Sequence, residues 1–305
     1  MPWKAAFVAM LLAGMATPAL AGSPGPLVIA GGAVADDNAA IYRALLDRRP
    51  AGVRAIAIIA AASAEPATAL ERARALFIRH GADPSDIRQV RVAMVDDPAT
   101  AEDEARWADN GSNPVEVAKI DRVGAIWLTG GDQARILSVL KQPDGADTPM
   151  LKAMRAAHRA GAAVGGTSAG AAAMSNPMIR GGDPVAAAGG QGEALEMGPG
   201  LGFLAEGLTD QHFDVRYRLP RLLKALALRP EARGIGYGVA EDTALIVEGD
   251  VLTAVGRGLV TIVDTRRAIA DGQGFDGVSI RFLADGQSAV RPGAAAMPRQ
   301  PHIRP

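Results

Sequence analysis

Cysteine is missing from the whole 305-residue chain. That absence excludes disulfides, thiolate-bound zinc and a cysteine nucleophile together. Histidine is scarce: His80, His158, His212 and His302 are scattered, and none forms an H-x-x-x-H or H-x-x-E-H pattern. Neither a metal nor a cofactor is therefore expected. No sign of charge dominates, with a net charge of −1, so nothing points to nucleic acid or to a charged membrane surface as a partner. Long apolar runs are also lacking. Beyond the N-terminus no segment reaches the ~18 unbroken apolar residues that mark a membrane-spanning helix.

The N-terminus itself reads "MPWKAAFVAMLLAGMATPALAG". Lys4, an apolar run from Ala5 to about Ala16, and the small-x-small site Ala19-Leu20-Ala21 have the layout of a secretory signal peptide. Residues 1–21 are expected to be removed, leaving a secreted or periplasmic protein. Residues 22–291 are long enough for one large domain with its own core. Residues 292–305, rich in Pro, Ala and Arg, read as a loose tail.

Within that domain, short apolar runs alternate with helical patterns. "PLVIAGG" (26–32), "VRAIAIIAAAS" (53–63), "IRQVRVAMV" (87–95) and "RVGAIWLTGG" (122–131) read as buried strands. Helices are predicted around 38–47, from Glu65 to a C-terminal stop at Gly81, and over 149–161. Continuous apolar strands interleaved with helices imply an α/β fold, a mostly parallel sheet covered on both faces. From about Gly234 the texture changes to shorter strands and tight turns, such as the hairpin signal Glu248-Gly249-Asp250, so a smaller β-rich C-terminal part is expected.

"GGTSAGAAAMS" (165–175) stands after a predicted strand and before a run of small helix formers. It contains G-x-S-x-G. In that context the pattern is a nucleophile elbow, a sharp strand-to-helix turn that lifts a serine hydroxyl off the sheet. Side chains on both flanks must vanish because the turn brings neighbouring chain close. Ser168 is the candidate nucleophile, and the N–H of Ala169 is one candidate oxyanion donor. The alternative is a tightly packed helix start with Thr167 or Ser168 as an ordinary N-cap. A serine nucleophile needs a base. His80 and His158 fall in helical patterns and His302 in the tail, which leaves His212 in "TDQHFDVRYRLPRL". The acid that would orient it stays open among Asp183, Glu193 and Glu196.

At this point several segments together resemble a known group. "TGGDQARIL" (129–137), "GGTSAGAAAMS", "MGPGLGFL" (197–204), "DQHFDVRYRLPRL" (210–222) and "GYGVAEDTALIV" (236–247) are similar, in order, to cyanophycinase. That family belongs with the serine peptidases that include dipeptidase E. The similarity runs from about Leu27 to Val290. It implies a fold like the class I glutamine amidotransferases, with serine in place of their cysteine. It also implies Ser168 as nucleophile, His212 as base and Gly131 as the second oxyanion donor. Gln133, Asp210, Gln211, Arg216, Arg218 and Arg221 match residues of the family's motifs and would form the substrate pocket. For the acid, Asp183 has a spacing like that of the dipeptidase E aspartate and is preferred, with Glu193 as alternative.

The resemblance further implies a polymer substrate of aspartate and arginine, cut to β-aspartyl-arginine, and the family suggests a homodimer. Arg216, Arg218 and Arg221 beside the histidine suit a carboxylate-rich substrate held by bidentate contacts, unless they form an internal ion-pair set with Asp210, Asp214 or Glu241. Asp210, Glu241 and Asp242 could receive the substrate's guanidinium groups. The competing readings are an aspartyl or isoaspartyl dipeptidase, a lipase or esterase, and a binding relative that has lost its acid.

Overall fold

The computed structural model describes residues 23–188, 195–228, 234–270 and 275–294. The first half alternates strands and helices: β1 (Leu27–Ala30), α1 (Ala39–Leu46), β2 (Ile56–Ile59), α2 (Pro66–Arg79), β3 (Ile87–Val90), α3 (Pro114–Ala118), β4 (Ala125–Leu128), α4 (Gln133–Leu140), α5 (Pro149–Arg159) and β5 (Ala163–Thr167). Then come α6 (Ala169–Ala172), β6 (Met178–Gly182), α7 (Pro184–Ala188), β7 (Leu195–Gly198), β8 (Leu208–Gln211), α8 (Leu219–Leu228) and β9 (Ile235–Val239). The chain finishes in strands: β10 (Thr243–Glu248), β11 (Val251–Gly256), β12 (Val260–Asp264), β13 (Ile269–Ala270), β14 (Phe275–Asp276), β15 (Ser279–Leu283) and β16 (Ser288–Val290).

An eight-stranded sheet in the order β16-β11-β10-β1-β5-β4-β2-β3 forms the centre. From β1 to β3 every pairing is parallel, and β10, β11 and β16 extend that edge antiparallel. The expected parallel sheet with helices on both faces is thus present. So is the β-rich C-terminal part, and three of its strands, β10, β11 and β16, belong to the main sheet itself. The tight turn between β10 and β11 contains Gly249 at φ +57°, where the hairpin was expected. A second sheet, β15-β12-β9-β8, pairs β8 with β9 in parallel and is otherwise antiparallel.

Alternation along the strands builds two cores. Ile56, Ile58, Ala125 and Trp127 face α1 and α2, against Tyr42, Leu45, Leu70 and Phe77. Ile59, Ile126 and Leu128 face the other way, towards Ile136, Leu151 and Met154 of α4 and α5. Each large aliphatic side chain buried this way contributes about 1.5–3 kcal/mol. A third cluster beneath α8 joins Leu208, Phe213 and Leu222. The strands are shorter than the apolar runs that announced them, Ile56–Ile59 inside 53–63 for example: Ala60–Ala62 continue past the strand as a buried loop at the sheet's C-terminal edge, while residues 53–55 lead into it from a less buried turn. Among the described residues no helix is long and apolar enough to cross a membrane. Residues 1–22 and 295–305, which hold the proposed signal peptide and most of the proposed tail, lie outside the described residues.

Candidate active site

The parallel strands end at one edge, and β5 runs there directly into α6. Ser168 sits between them at φ +52°, ψ −113°, a conformation that costs a non-glycine residue on the order of 1–3 kcal/mol. The surroundings hold it. Its N–H donates to the Ala30 carbonyl (3.0 Å), and its own carbonyl accepts from the N–H groups of Ala171 and Ala172. The flanking glycines are required by contact. A Cβ on Gly166 would stand 2.8 Å from the backbone of Gly170, and a Cβ on Gly170 would stand 2.4 Å from the Leu128 carbonyl. The spacing of the motif is therefore a packing condition for the turn.

The Oγ of Ser168 lies 2.8 Å from Nε2 of His212. His212 follows β8 directly and is itself at φ +48°. Its N–H donates to the Gly31 carbonyl over 2.7 Å, and Gly32 faces the ring so closely that a Cβ there would be 2.3 Å from Cε1. On the far side of the ring, Nδ1 lies 2.6 Å from Oε1 of Glu241. An ionised carboxylate can only accept, so Nδ1 carries the proton and the Nε2 lone pair faces the serine.

Both ring nitrogens are now taken, which corrects the expected acid. Asp183 is exposed and accepts from the Ala186 N–H at 2.8 Å, as a cap on α7. Glu196 lies on β7, where its carboxylate packs beside Gly181. Glu193 lies outside the described residues. Glu241 stands between β9 and β10, and β9 pairs in parallel with β8, so the neighbouring strand ends carry the acid and the histidine side by side.

The loop after β4 flanks the nucleophile. A Cβ on Gly130 would meet Ser168 Cβ at 3.2 Å, and Gly131 next to it has φ +139°. The Ala169 N–H opens α6 and has no partner within that helix. The two expected oxyanion donors thus belong to segments that border the serine.

The motif residues divide differently from the expectation. Asp210 is fully buried and is gripped by Arg221, whose Nε donates to Oδ2 (3.0 Å) and whose Nη2 donates to Oδ1, and by Arg218 (3.3 Å). Arg221 also donates to the Gly182 carbonyl at 3.0 Å, and Arg218 to the Gln211 carbonyl. Arg218 and Arg221 are therefore an internal ion-pair set on Asp210, not free grips for a substrate carboxylate. Burial pushes the Asp210 carboxyl up while Arg221 and Arg218 pull it back, and burial brings the Arg218 guanidinium down to about 10. Removing one partner from such a set leaves a buried charge, typically at a cost of about 3–5 kcal/mol. Gln133 is also occupied: its Nε2 donates to the carbonyls of Ile179 (3.2 Å) and Arg180. Glu241 and Asp242 are not free for a guanidinium either. Asp242 accepts from the Ala35 N–H and from Asn38 and pairs with Arg257 at 3.0 Å. Two motif residues keep free polar groups. Gln211 is buried with Oε1 unpartnered, and Arg216 is exposed with no acidic partner among the described residues.

Burial lowers the pKa of His212 below 6.5, the Glu241 hydrogen bond opposes this, and the Arg216 guanidinium adds to it. A base with a lowered pKa is neutral, and so competent, to lower pH. The acid limb of kcat/KM, which reports the free enzyme, is expected to have its midpoint below pH 6.5. Arg216→Gln should move that midpoint upward, since it removes a cation that disfavours the imidazolium. A pH profile of both proteins on one peptide substrate measures it, and a wild-type midpoint above 6.5 would contradict the electrostatics. Among the described residues no His, Asp and Glu cluster could hold a metal ion.

The chain is similar to known peptidases. The model of peptidase family S51 matches residues 27–255. A cyanophycinase of Geminocystis herdmanii is 36% identical over 216 residues, covering 68% of this chain and 69% of that protein. A cyanophycinase of Nostoc sp. is 36% identical over 245 residues, covering 78% and 72%. The crystal structure of a peptidase from an acI-B1 Actinobacterium superposes with a TM-score of 0.60 at 19% identity, over 88% of this chain and 97% of that one. At that identity the last similarity speaks for the fold alone.

Proposed function

The chain belongs to peptidase family S51, and from that premise we propose that it is a secreted serine exopeptidase that hydrolyses cyanophycin to β-aspartyl-arginine dipeptides. One observation carries the reading: Ser168 Oγ, His212 and Glu241 form an unbroken hydrogen-bonded series of 2.8 and 2.6 Å.

The chemistry follows from that series. As Ser168 Oγ attacks the substrate carbonyl, its proton passes to Nε2 of His212, and Glu241 stabilises the imidazolium that forms. The oxyanion is received by the N–H groups of Ala169 and Gly131, each such donor being worth about 10²–10³ in rate. His212 then returns the proton to the leaving amine, the C–N bond breaks, and an ester on Ser168 remains. Water, deprotonated by the same imidazole, attacks the ester and frees the acid product and the serine hydroxyl. Arg216, unpaired and beside the base, is the group left to meet a substrate carboxylate. Gln211, one residue before His212, offers an unpartnered acceptor. Asp210, Arg218 and Arg221 serve this site from behind, by fixing the segment that carries His212. The secretion part of the reading rests on the N-terminal layout. With Asp183 on a helix cap, the spacing that favoured a short-peptide dipeptidase no longer supports that alternative.

Mass spectrometry of products from the purified mature chain and cyanophycin tests the proposal. Soluble β-aspartyl-arginine is the expected result; none after long incubation with active enzyme would remove the substrate assignment.

A further inference from the structure

The acid Glu241 sits in the short link between β9 and β10, with Asp242 next to it. A link this short has little of its own to hold a carboxylate in place. Asp242 is at φ +50°, in the left-handed region that aspartate enters more readily than most residues. Its N–H donates to the Gly32 carbonyl over 2.9 Å, and its carbonyl accepts from the Arg257 N–H over 2.9 Å.

The side chain adds more ties. Oδ1 of Asp242 accepts from the Ala35 N–H (2.9 Å) and from Nδ2 of Asn38 (2.8 Å), and Oδ2 accepts from Nη1 of Arg257 (3.0 Å). Asn38 also donates to the Asp242 carbonyl at 3.0 Å. Asn38 is 6% exposed and stands at the N-cap of α1, yet its side chain makes no capping bond there. An asparagine at an N-cap ordinarily accepts from an N–H of the helix's first turn. Here its amide is turned to Asp242 instead. A local rule broken in this way is expected where function asks for it.

The loop so tied, residues 31–38, is also the one that supports the base. The Gly31 carbonyl accepts from the His212 N–H, and Gly32 packs against the imidazole. One carboxylate thus joins the loop under the base to the turn that carries the acid. None of its hydrogen bonds reaches Ser168 or His212. The Arg257 pair is the weakest of the ties, since that guanidinium is half-exposed and shared with Asp37.

We infer that Asp242 is a positioning residue: by clamping the loop 31–38 to the Glu241 turn, it sets the approach of Glu241 to His212 and keeps the imidazole aimed at Ser168. This rests on the Ser168, His212 and Glu241 series of the proposed function.

Labelling of Ser168 by a fluorophosphonate needs no assumption about the substrate, and it is measured beside kcat and KM on a cleavable peptide. Asp242→Ala opens the clamp and should slow labelling and kcat about 10²-fold, the cost of a misplacement of about 1 Å. KM should stay within about twofold, because the loss falls on the chemical step. Asp242→Asn keeps the oxygen that meets Ala35 and Asn38 and gives up only the exposed pair, so it should stay within about fivefold of wild type. The pH profile separates positioning from mere stability. Glu241, Arg216 and Arg218 are the charged groups that act on the imidazole, and of these only Glu241 raises it. A slackened Glu241 bond should therefore carry the acid limb of Asp242→Ala to lower pH, whereas partial unfolding would lower the amount of active enzyme and leave the limb in place. In a Glu241→Gln background no carboxylate is left to position, and Asp242→Ala should add no more than about threefold.

A further 10²-fold loss in that background, an unmoved acid limb, or an Asp242→Ala enzyme as fast as wild type overturns the positioning role and leaves the triad standing. Glu241→Gln labelled as fast as wild type brings down the triad reading itself, and the inference with it. Should Asp242→Ala not fold, Asn38→Ala removes one donor from the clamp. It should show the same shift of the limb with about a five- to tenfold loss, the scale of one hydrogen bond, and a wild-type rate and limb there would overturn the role equally.

Discussion

Ser168→Ala should lower kcat on cyanophycin about 10⁶-fold, the size seen when one member disables a triad that acts as a unit. The substitution removes a single oxygen. The turn that presents it is held by Ala30, Ala171 and Ala172 through backbone bonds that alanine keeps, and the glycine contacts of the elbow do not involve the side chain. Folding should therefore survive, and the loss would be a loss of chemistry. What stays is a cleft with the N–H groups of Ala169 and Gly131 still in place, enough for a residual acceleration of roughly 10³–10⁴ over water. Adding His212→Ala should cost little more, because the base has no proton left to take from a nucleophile. Single-turnover release of dipeptide, with labelling by a fluorophosphonate as a parallel readout, measures this. A Ser168→Ala protein that keeps even a hundredth of the wild-type rate would mean that another group attacks the substrate.

The parts of this site that were readable in the sequence are those fixed by neighbours in the chain. Gly166 and Gly170 are two residues either side of Ser168, and the contacts that forbid a Cβ at each lie within the same turn or on the adjacent strand. His212 was reached by elimination among scarce histidines, a step that needs no geometry. The acid was missed because its relation to His212 is one of strand order. β8 and β9 lie side by side in parallel, so the residues just past their ends meet, although they are 29 positions apart. The candidates were Asp183, Glu193 and Glu196, and Glu241 was not among them. An acidic pair, Glu241-Asp242, at the exit of an apolar strand was the signal available, and it was read as a grip for guanidinium.

The arginines show the same limit from another side. A bidentate guanidinium serves a buried aspartate as well as it serves a substrate, and the sequence of "DQHFDVRYRLPRL" does not say which. Burial decides it: Arg218 and Arg221 are 7% and 5% exposed, whereas Arg216, two positions from Arg218, stands in solvent. The fold was more legible than the site because strands and helices announce themselves by local period. The placement of β10 and β11 was not legible, since nothing in a hairpin says which edge it will join.

Glu241→Gln against Asp183→Ala is the experiment that separates the acid the geometry identifies from the one the spacing suggested. Glutamine keeps the shape of glutamate but brings an amide whose nitrogen can donate. Facing Nδ1 with a donor favours the tautomer in which Nδ1 holds the lone pair and Nε2 holds the proton. Nε2 then meets Ser168 as a donor and can no longer take its proton, so kcat should fall by about 10³–10⁴. The loss should come in kcat more than in KM, because Glu241 touches the base and not the substrate. The pH profile supplies a second signature. The Glu241 hydrogen bond raises the imidazole against the effects of burial and of Arg216, so removing the carboxylate should carry the acid limb to still lower pH. Asp183→Ala removes only an exposed cap on a short helix, and its kcat should stay within about twofold of wild type, as for a surface substitution. If Asp183→Ala lost activity by a hundredfold while Glu241→Gln kept more than a tenth, the imidazole in the working enzyme would have to turn towards the other acid. The 2.6 Å contact would then belong to a resting arrangement and not to the catalytic one.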